Sequence, residues 1–432
     1  MSGFGKKLIK SNKFNQHEFL PYLAIIVSYL YSLFFSVVSL TLGQPQLANA
    51  TMMLVFASIS IITMVSFFLC TFRSMRKSEL AACTLIVYIL LNMYTTSVVN
   101  GGWSIGAKDN FLEFGVKALP AILVGLLISR YHLLHEMVQV IDYFLLVTGL
   151  GFLKVLYQGV FSGVSRAQML PVFGMDYQGI SYFSAYMFIL NLYMIVLGWK
   201  ELRSSKRKTR KFQILRIFIA AVQFTVSLYS GGRGGFVLIL ASILAVFLYE
   251  IIINKKWIGI VYGLITMVAL FFILDYLSAY NQLFKAGLER IFDFIGPGGI
   301  NWSGTSGRDV VYQRAINLIL ERPVFGYGFS GGTYNGVLST HNLFLEILVD
   351  GGLVYLCIWI FMLINFAQKL LRKIKINSEY VLIAAIFLGD FVNLTFSTIY
   401  WRSTAIWFVL AFILSEKKGK NINEKNRYAE LS

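Results

Sequence analysis

Residues 200–216 read KELRSSKRKTRKFQILR, eight lysines and arginines set between two long apolar runs. Short loops that collect Lys and Arg stay on the cytoplasmic side of a membrane, so this stretch marks an inside loop of a multi-span protein. The composition agrees. The 432-residue chain is 57% hydrophobic and 14% charged, against about 25% charged in soluble domains. A spanning helix needs about 20 mostly apolar residues. Twelve runs qualify: 21–42, 51–72, 79–99, 111–129, 137–160, 178–199, 213–229, 234–254, 257–279, 342–366, 379–397 and 402–416. The first exceeds the roughly 7–15 apolar residues of a signal peptide and reads as an uncleaved span.

With the N-terminus inside, the inside segments hold 27 of the 38 Lys and Arg and the outside segments hold nine. The expectation is an all-α integral membrane protein of about twelve transmembrane helices with both termini cytoplasmic. Residues 1–20 form a cytoplasmic segment, 21–278 carry helices one to nine, and 279–340 form a long extracytoplasmic loop. Residues 341–416 carry the last three helices, and 417–432 are a basic cytoplasmic tail. The net charge of +17 belongs to the inside loops, which orient the chain and touch anionic headgroups. It does not call for nucleic acid. Cys70, Cys83 and Cys357 lie in apolar runs without metal or disulfide spacing. No internal repeat is visible, which speaks against a transporter.

Of the nine outside cations, seven are arginines, each on the side that the charge bias disfavours. Arg233 lies in YSGGRGGFV (229–237). Glycines reach φ > 0 and let amides converge on an anion, the next helix points its N-terminus at the same spot, and the guanidinium suits phosphate oxygens. The alternative is a tight turn with a snorkelling arginine. Within the long loop, FIGPGGINWSGTSGRD (294–309) is Gly/Ser-rich and irregular, whereas 308–322 has helical periodicity. Its stripe of Val311, Tyr312, Ala315, Leu318 and Ile319 puts Arg308 in the middle and Arg314 at the edge. Arg308 is thus aimed inwards. Arg314 reads as a solvated or headgroup-facing residue. Arg166 sits in an outer loop, where structural and functional readings stand level.

His341 is the one outside histidine of four. It opens the tenth span, and a helix N-terminus disfavours imidazolium, so it suits a general base. The alternative is a histidine satisfying interfacial hydrogen bonds. Asp142, Asp275, Glu346, Asp350 and Asp390 fall within or beside spans and are functional suspects by position. Glu346 and Asp350 are the best placed to pair with the outside arginines. No metal cluster and no cofactor motif is expected. A lipid-linked (pyro)phosphate fits a membrane-embedded site of this kind.

GRDVVYQRAINLILERPVFGYGF (307–329) followed by HNLFLEILVDGGL (341–353) resembles the C-terminal domain of the O-antigen ligase and polymerase family. The SGGRGG turn is similar to that family's Ser-Arg-Gly turn. Gly352 matches one family glycine, while Tyr355 stands where a second is expected. The resemblance implies a metal-independent glycosyltransferase of the GT-C membrane type in the bacterial cytoplasmic membrane. Its donor is a glycan on undecaprenyl pyrophosphate, and its acceptor is another lipid-linked repeat unit for a polymerase or lipid A-core for a ligase. By that analogy His341 acts on the acceptor hydroxyl. Arg233 and Arg308 bind pyrophosphate, with Arg166, Arg314 and Arg402 as further candidates and Asn342, Glu346 and Tyr312 in support. A flippase and a chain-length regulator are the expected protein partners. A flippase or exporter of lipid-linked sugars is the remaining reading for the chain itself.

Overall fold

A computed structural model describes residues 45–71, 73–160, 177–201, 208–230, 232–249 and 308–416, with scattered positions between 251 and 300. The spans expected at 21–42 and 257–279, the loop around Arg166 and the basic tail lie almost wholly outside the described residues. The described chain is helical. In order, α1 spans Pro45–Thr71, α2 Lys77–Val99, α3 Ile105–Glu113, α4 Leu119–Tyr131, α5 Leu134–Val160, α6 Tyr177–Glu201 and α7 Lys208–Tyr229. There follow α8 Arg233–Leu248, α9 Arg308–Glu321, α10 Gly331–Tyr334, α11 Leu343–Ile376, α12 Tyr380–Phe396 and α13 Thr404–Ser415. A π-turn at Phe114–Ala118 joins α3 to α4. Among the described residues, six stretches are long and apolar enough to cross a membrane: Lys77–Val99, Ile105–Tyr131, Leu134–Tyr157, Gln178–Val196, Phe212–Tyr229 and Leu343–Ile376. The chain is a membrane protein.

One expectation for the long loop needs correction. Its glycine-rich middle is not wholly irregular, because β1 (Ile295–Gly296) and β2 (Gly299–Ile300) pair antiparallel. Pro297-Gly298 between them is an ordinary turn signal.

Small residues let the helices close up. At Gly125 of α4 a β-carbon would lie 2.6 Å from the Phe408 carbonyl oxygen of α13, a backbone contact that only glycine permits. Ser181 of α6 donates to the Ser227 carbonyl of α7 at 2.8 Å and to the Gly232 carbonyl ahead of α8 at 3.1 Å. A core of aromatic rings, with Phe114, Trp359, Tyr400, Trp401 and Trp407 all buried, ties the π-turn, α11 and α13 together.

Several ion pairs and polar contacts lie at helix ends. Arg130 makes two bonds to buried Glu79, at 2.8 and 2.7 Å, and Lys373 reaches Glu416 at 2.9 Å. Asp142 pairs with Arg216, and Asp390 caps α13 through Ser403 and the Ile406 amide. These two acids have structural partners.

Helix α11 is broken at Gly352, whose φ of 60° and ψ of −157° lie outside any helix. The break exposes backbone groups that water cannot serve within the protein. The turn after α9 serves them instead. Tyr327 and Gly328 amides donate to the Val349 and Asp350 carbonyls at 2.9 and 2.8 Å, while Leu353 and Val354 amides donate to the Pro323 and Val324 carbonyls at 2.8 and 3.2 Å. The Arg-Pro and Gly-x-Gly segments therefore form a strap across the broken helix. Tyr355, where the second family glycine is expected, packs its ring edge-on against Phe329 of the strap, with centroids 4.9 Å apart.

Candidate active site

His341 sits in the turn that feeds α11. Its φ is 51°, a left-handed conformation uncommon for a residue with a side chain, and its neighbours hold it there. The His341 amide donates to Ser339 Oγ at 3.1 Å. Ser339 in turn donates to Glu346 Oε1 at 3.0 Å, and the Thr340 amide reaches the same oxygen at 3.3 Å. Asn342 caps α11, its Oδ1 accepting from the Phe344 and Leu345 amides. Asn342 and Glu346 thus shape the turn. Glu346 and Asp350 take their hydrogen bonds from Ser339, Thr340 and Tyr400, not from the outside arginines expected to pair with them.

The ring is fixed from the other side. His341 Nδ1 lies 2.7 Å from the Ser397 carbonyl oxygen after α12. A carbonyl only accepts, so Nδ1 carries the proton of the neutral imidazole and Nε2 keeps its lone pair. Burial holds the His341 pKa below the ordinary 6.5, and the guanidinium charges of Arg308 and Arg402 push in the same direction against the Ser397 carbonyl. The arrangement yields a neutral, oriented imidazole with two cations nearby, which is what a general base at a polyanion site requires.

Arg308 begins α9, which lies on the protein through Ala315 and Leu318 packed with Val337 and Val349. Tyr312 follows one turn later on α9 and is half-buried. Arg314 turns elsewhere: a β-carbon at Gly336 would lie 2.5 Å from its Nη2, so this side chain rests on the Gly336 turn. Arg402 reaches the site's edge while paired with Glu113. Arg166 lies outside the described residues.

Three glycines of the turn have a different reason from the one expected, and Gly231 lies outside the described residues. Gly232 is extended, with φ −80°, and Gly234 and Gly235 are inside α8. None needs positive φ. What they need is room. A β-carbon at Gly234 would lie 1.6 Å from the Tyr182 hydroxyl, and one at Gly235 would lie 2.3 Å from Ser181 Oγ. Arg233 is the first residue of α8, whose N-terminus has no side-chain cap. Tyr182 stands between the two halves of the site. It lies on Gly234, meets the side chain of Ser397 and feels the charge of Arg308. Helix α8's N-terminus, Arg308 and His341 therefore converge around Tyr182 and Ser397.

Neither Tyr182 nor Ser397 stands out in the sequence. Tyr182 is one of 24 tyrosines. Ser397 lies in FSTIYWRS (396–403) between two apolar runs, and it holds His341 through a backbone carbonyl that no sequence pattern marks.

Residues 217–360 match the family model described as O-antigen ligase. This segment is similar to an O-antigen ligase domain. It contains Arg233, Arg308, Tyr312, Arg314, His341, Asn342 and Glu346, while Tyr182, Ser397 and Arg402 are supplied from outside it. A comparison with curated proteins finds no match. The match covers 144 of the 432 residues.

Proposed function

We propose that the chain is a polysaccharide polymerase of the bacterial cytoplasmic membrane, making O-antigen, capsule or exopolysaccharide at the extracytoplasmic face. It transfers a glycan from undecaprenyl pyrophosphate to a sugar hydroxyl of a second lipid-linked repeat unit. The observation that carries the reading is His341, held with Nδ1 on the Ser397 carbonyl and Arg308 beside it, inside the segment similar to an O-antigen ligase domain. Nε2 takes the acceptor proton as the hydroxyl oxygen bonds to the anomeric carbon. The bond from that carbon to the pyrophosphate oxygen breaks, and the released charge falls to Arg308 and to Arg233 at the start of α8. Twelve spans with cytoplasmic termini, a GT-C-type arrangement, a flippase that delivers the repeat unit and a chain-length regulator belong to the same proposal. The ligase reading, with lipid A-core as acceptor, draws on the matched family's own description.

Purified protein with defined undecaprenyl pyrophosphate repeat unit and no added divalent metal tests this. A ladder of lengthening products is expected. Transfer only when lipid A-core is supplied makes the protein a ligase. Inertness to both, with protein-dependent movement of the lipid-linked sugar across liposomes, makes it a flippase.

A further inference from the structure

Glu113 ends α3, and the π-turn Phe114–Ala118 follows at once. Short π-turns within helices are rare and recur at functional sites. This one sets two neighbouring side chains against a distant segment. Phe114 packs edge-on against Trp401, with centroids 5.9 Å apart and both rings buried. One residue back, Glu113 meets Arg402, one residue on from Trp401. The backbone that carries Arg402 is itself fixed. Tyr400–Arg402 is one turn of 3-10 helix. The Tyr400 hydroxyl donates to Asp350 Oδ2 at 2.6 Å, and the Tyr400 carbonyl accepts from Trp407 Nε1 at 2.9 Å.

The Glu113 carboxyl group meets two cations, one at each oxygen. Lys117 donates to Oε1 at 3.0 Å, and Arg402 approaches Oε2 through Nε. Among the described residues no hydrogen bond engages Nη1 or Nη2 of Arg402. A guanidinium is a rigid planar fork, so holding it by Nε leaves the Nη1–Nη2 edge open and restricts where that edge points. The Arg402 side chain is 46% exposed, yet its charge reaches His341. An ion pair with one partner so exposed adds little to stability. Stability therefore does not account for a pairing that two rigid turns hold in register.

We infer that Glu113 is the positioning residue for Arg402, fixing the guanidinium at the rim of the site so that its free Nη edge takes two pyrophosphate oxygens of the donor beside His341. The inference rests on the transfer reading above and deepens it, since Glu113 and Arg402 both lie outside residues 217–360. Bidentate contact through a pre-oriented fork is worth more than the same charge on a mobile side chain. Glu113 itself touches no substrate and acts only through Arg402.

Binding of undecaprenyl pyrophosphate to the purified full chain in detergent tests it. Glu113→Gln and Arg402→Gln should each weaken binding by about tenfold. The double variant should bind no more weakly than Arg402→Gln alone, because the two residues act as one unit. Arg402→Lys still meets Glu113 but offers no second nitrogen edge, so it should bind as weakly as Arg402→Gln. That variant carries the test if Glu113→Gln does not fold. Wild-type binding that is undiminished in Glu113→Gln or in Arg402→Lys overturns the inference alone, as do additive losses in the double variant, which would mark Glu113 as merely structural. A wild type that does not bind the lipid overturns the transfer reading and this inference with it.

Discussion

His341 Nδ1 sits 2.7 Å from the carbonyl oxygen of Ser397, a bond that joins the start of α11 to the end of α12 and leaves Nε2 as the one lone pair on the ring. In the proposed mechanism the base works while the imidazole is neutral. Its pKa is lowered from 6.5, first by burial and then by Arg308 and Arg402. The transfer rate should therefore stay flat as pH falls through 6.5 and decline only below it. Arg308→Gln removes a cation that opposes protonation, so the acid limb should move to higher pH. It should also slow transfer by on the order of 100-fold through lost charge stabilisation. A pH–rate profile of both proteins checks the two effects.

Gly234→Ala should cost on the order of 100-fold in transfer with the fold retained, the usual scale for misplaced catalytic groups. The new β-carbon would fall 1.6 Å from the Tyr182 hydroxyl, so the ring must leave its place between the α8 N-terminus and Ser397. Comparing turnover with thermal midpoint separates this from simple unfolding.

The helices among the described residues were legible in the sequence because burial in lipid demands long apolar segments. His341, Arg308 and the strap motifs were legible because their residue types are out of place where they stand. The reason for the glycines around Arg233 was not. Close approach to Ser181 and Tyr182 is a relation between helices α6 and α8, and no local pattern encodes it. The same holds for Ser397, which acts through a backbone carbonyl that every residue has. The partners of Glu346 and Asp350 were misjudged for a related reason, since nearby hydroxyls are invisible to a search for opposite charges.

Gly352→Ala should destabilise the protein strongly. The backbone conformation alone costs about 1–3 kcal/mol for a residue with a side chain, and a β-carbon there would meet the Val324 carbonyl carbon at 2.4 Å. Denaturation should show an early loss of the α9 strap, read as faster backbone amide exchange at Tyr327, Gly328, Leu353 and Val354.

Arg130→Ala should cost about 3–5 kcal/mol, because Glu79 is left charged and buried without its partner. Glu79→Gln in the same chain should recover part of the loss. Thermal unfolding of the single and double variants measures both.

The most direct test of the central claim is single-turnover transfer from undecaprenyl pyrophosphate-linked repeat unit by wild type and His341→Ala, with donor binding measured in parallel. Loss of at least about 100-fold in the transfer step with donor binding intact is the predicted result. Transfer at the wild-type rate in His341→Ala would contradict the role of this histidine and with it the mechanism.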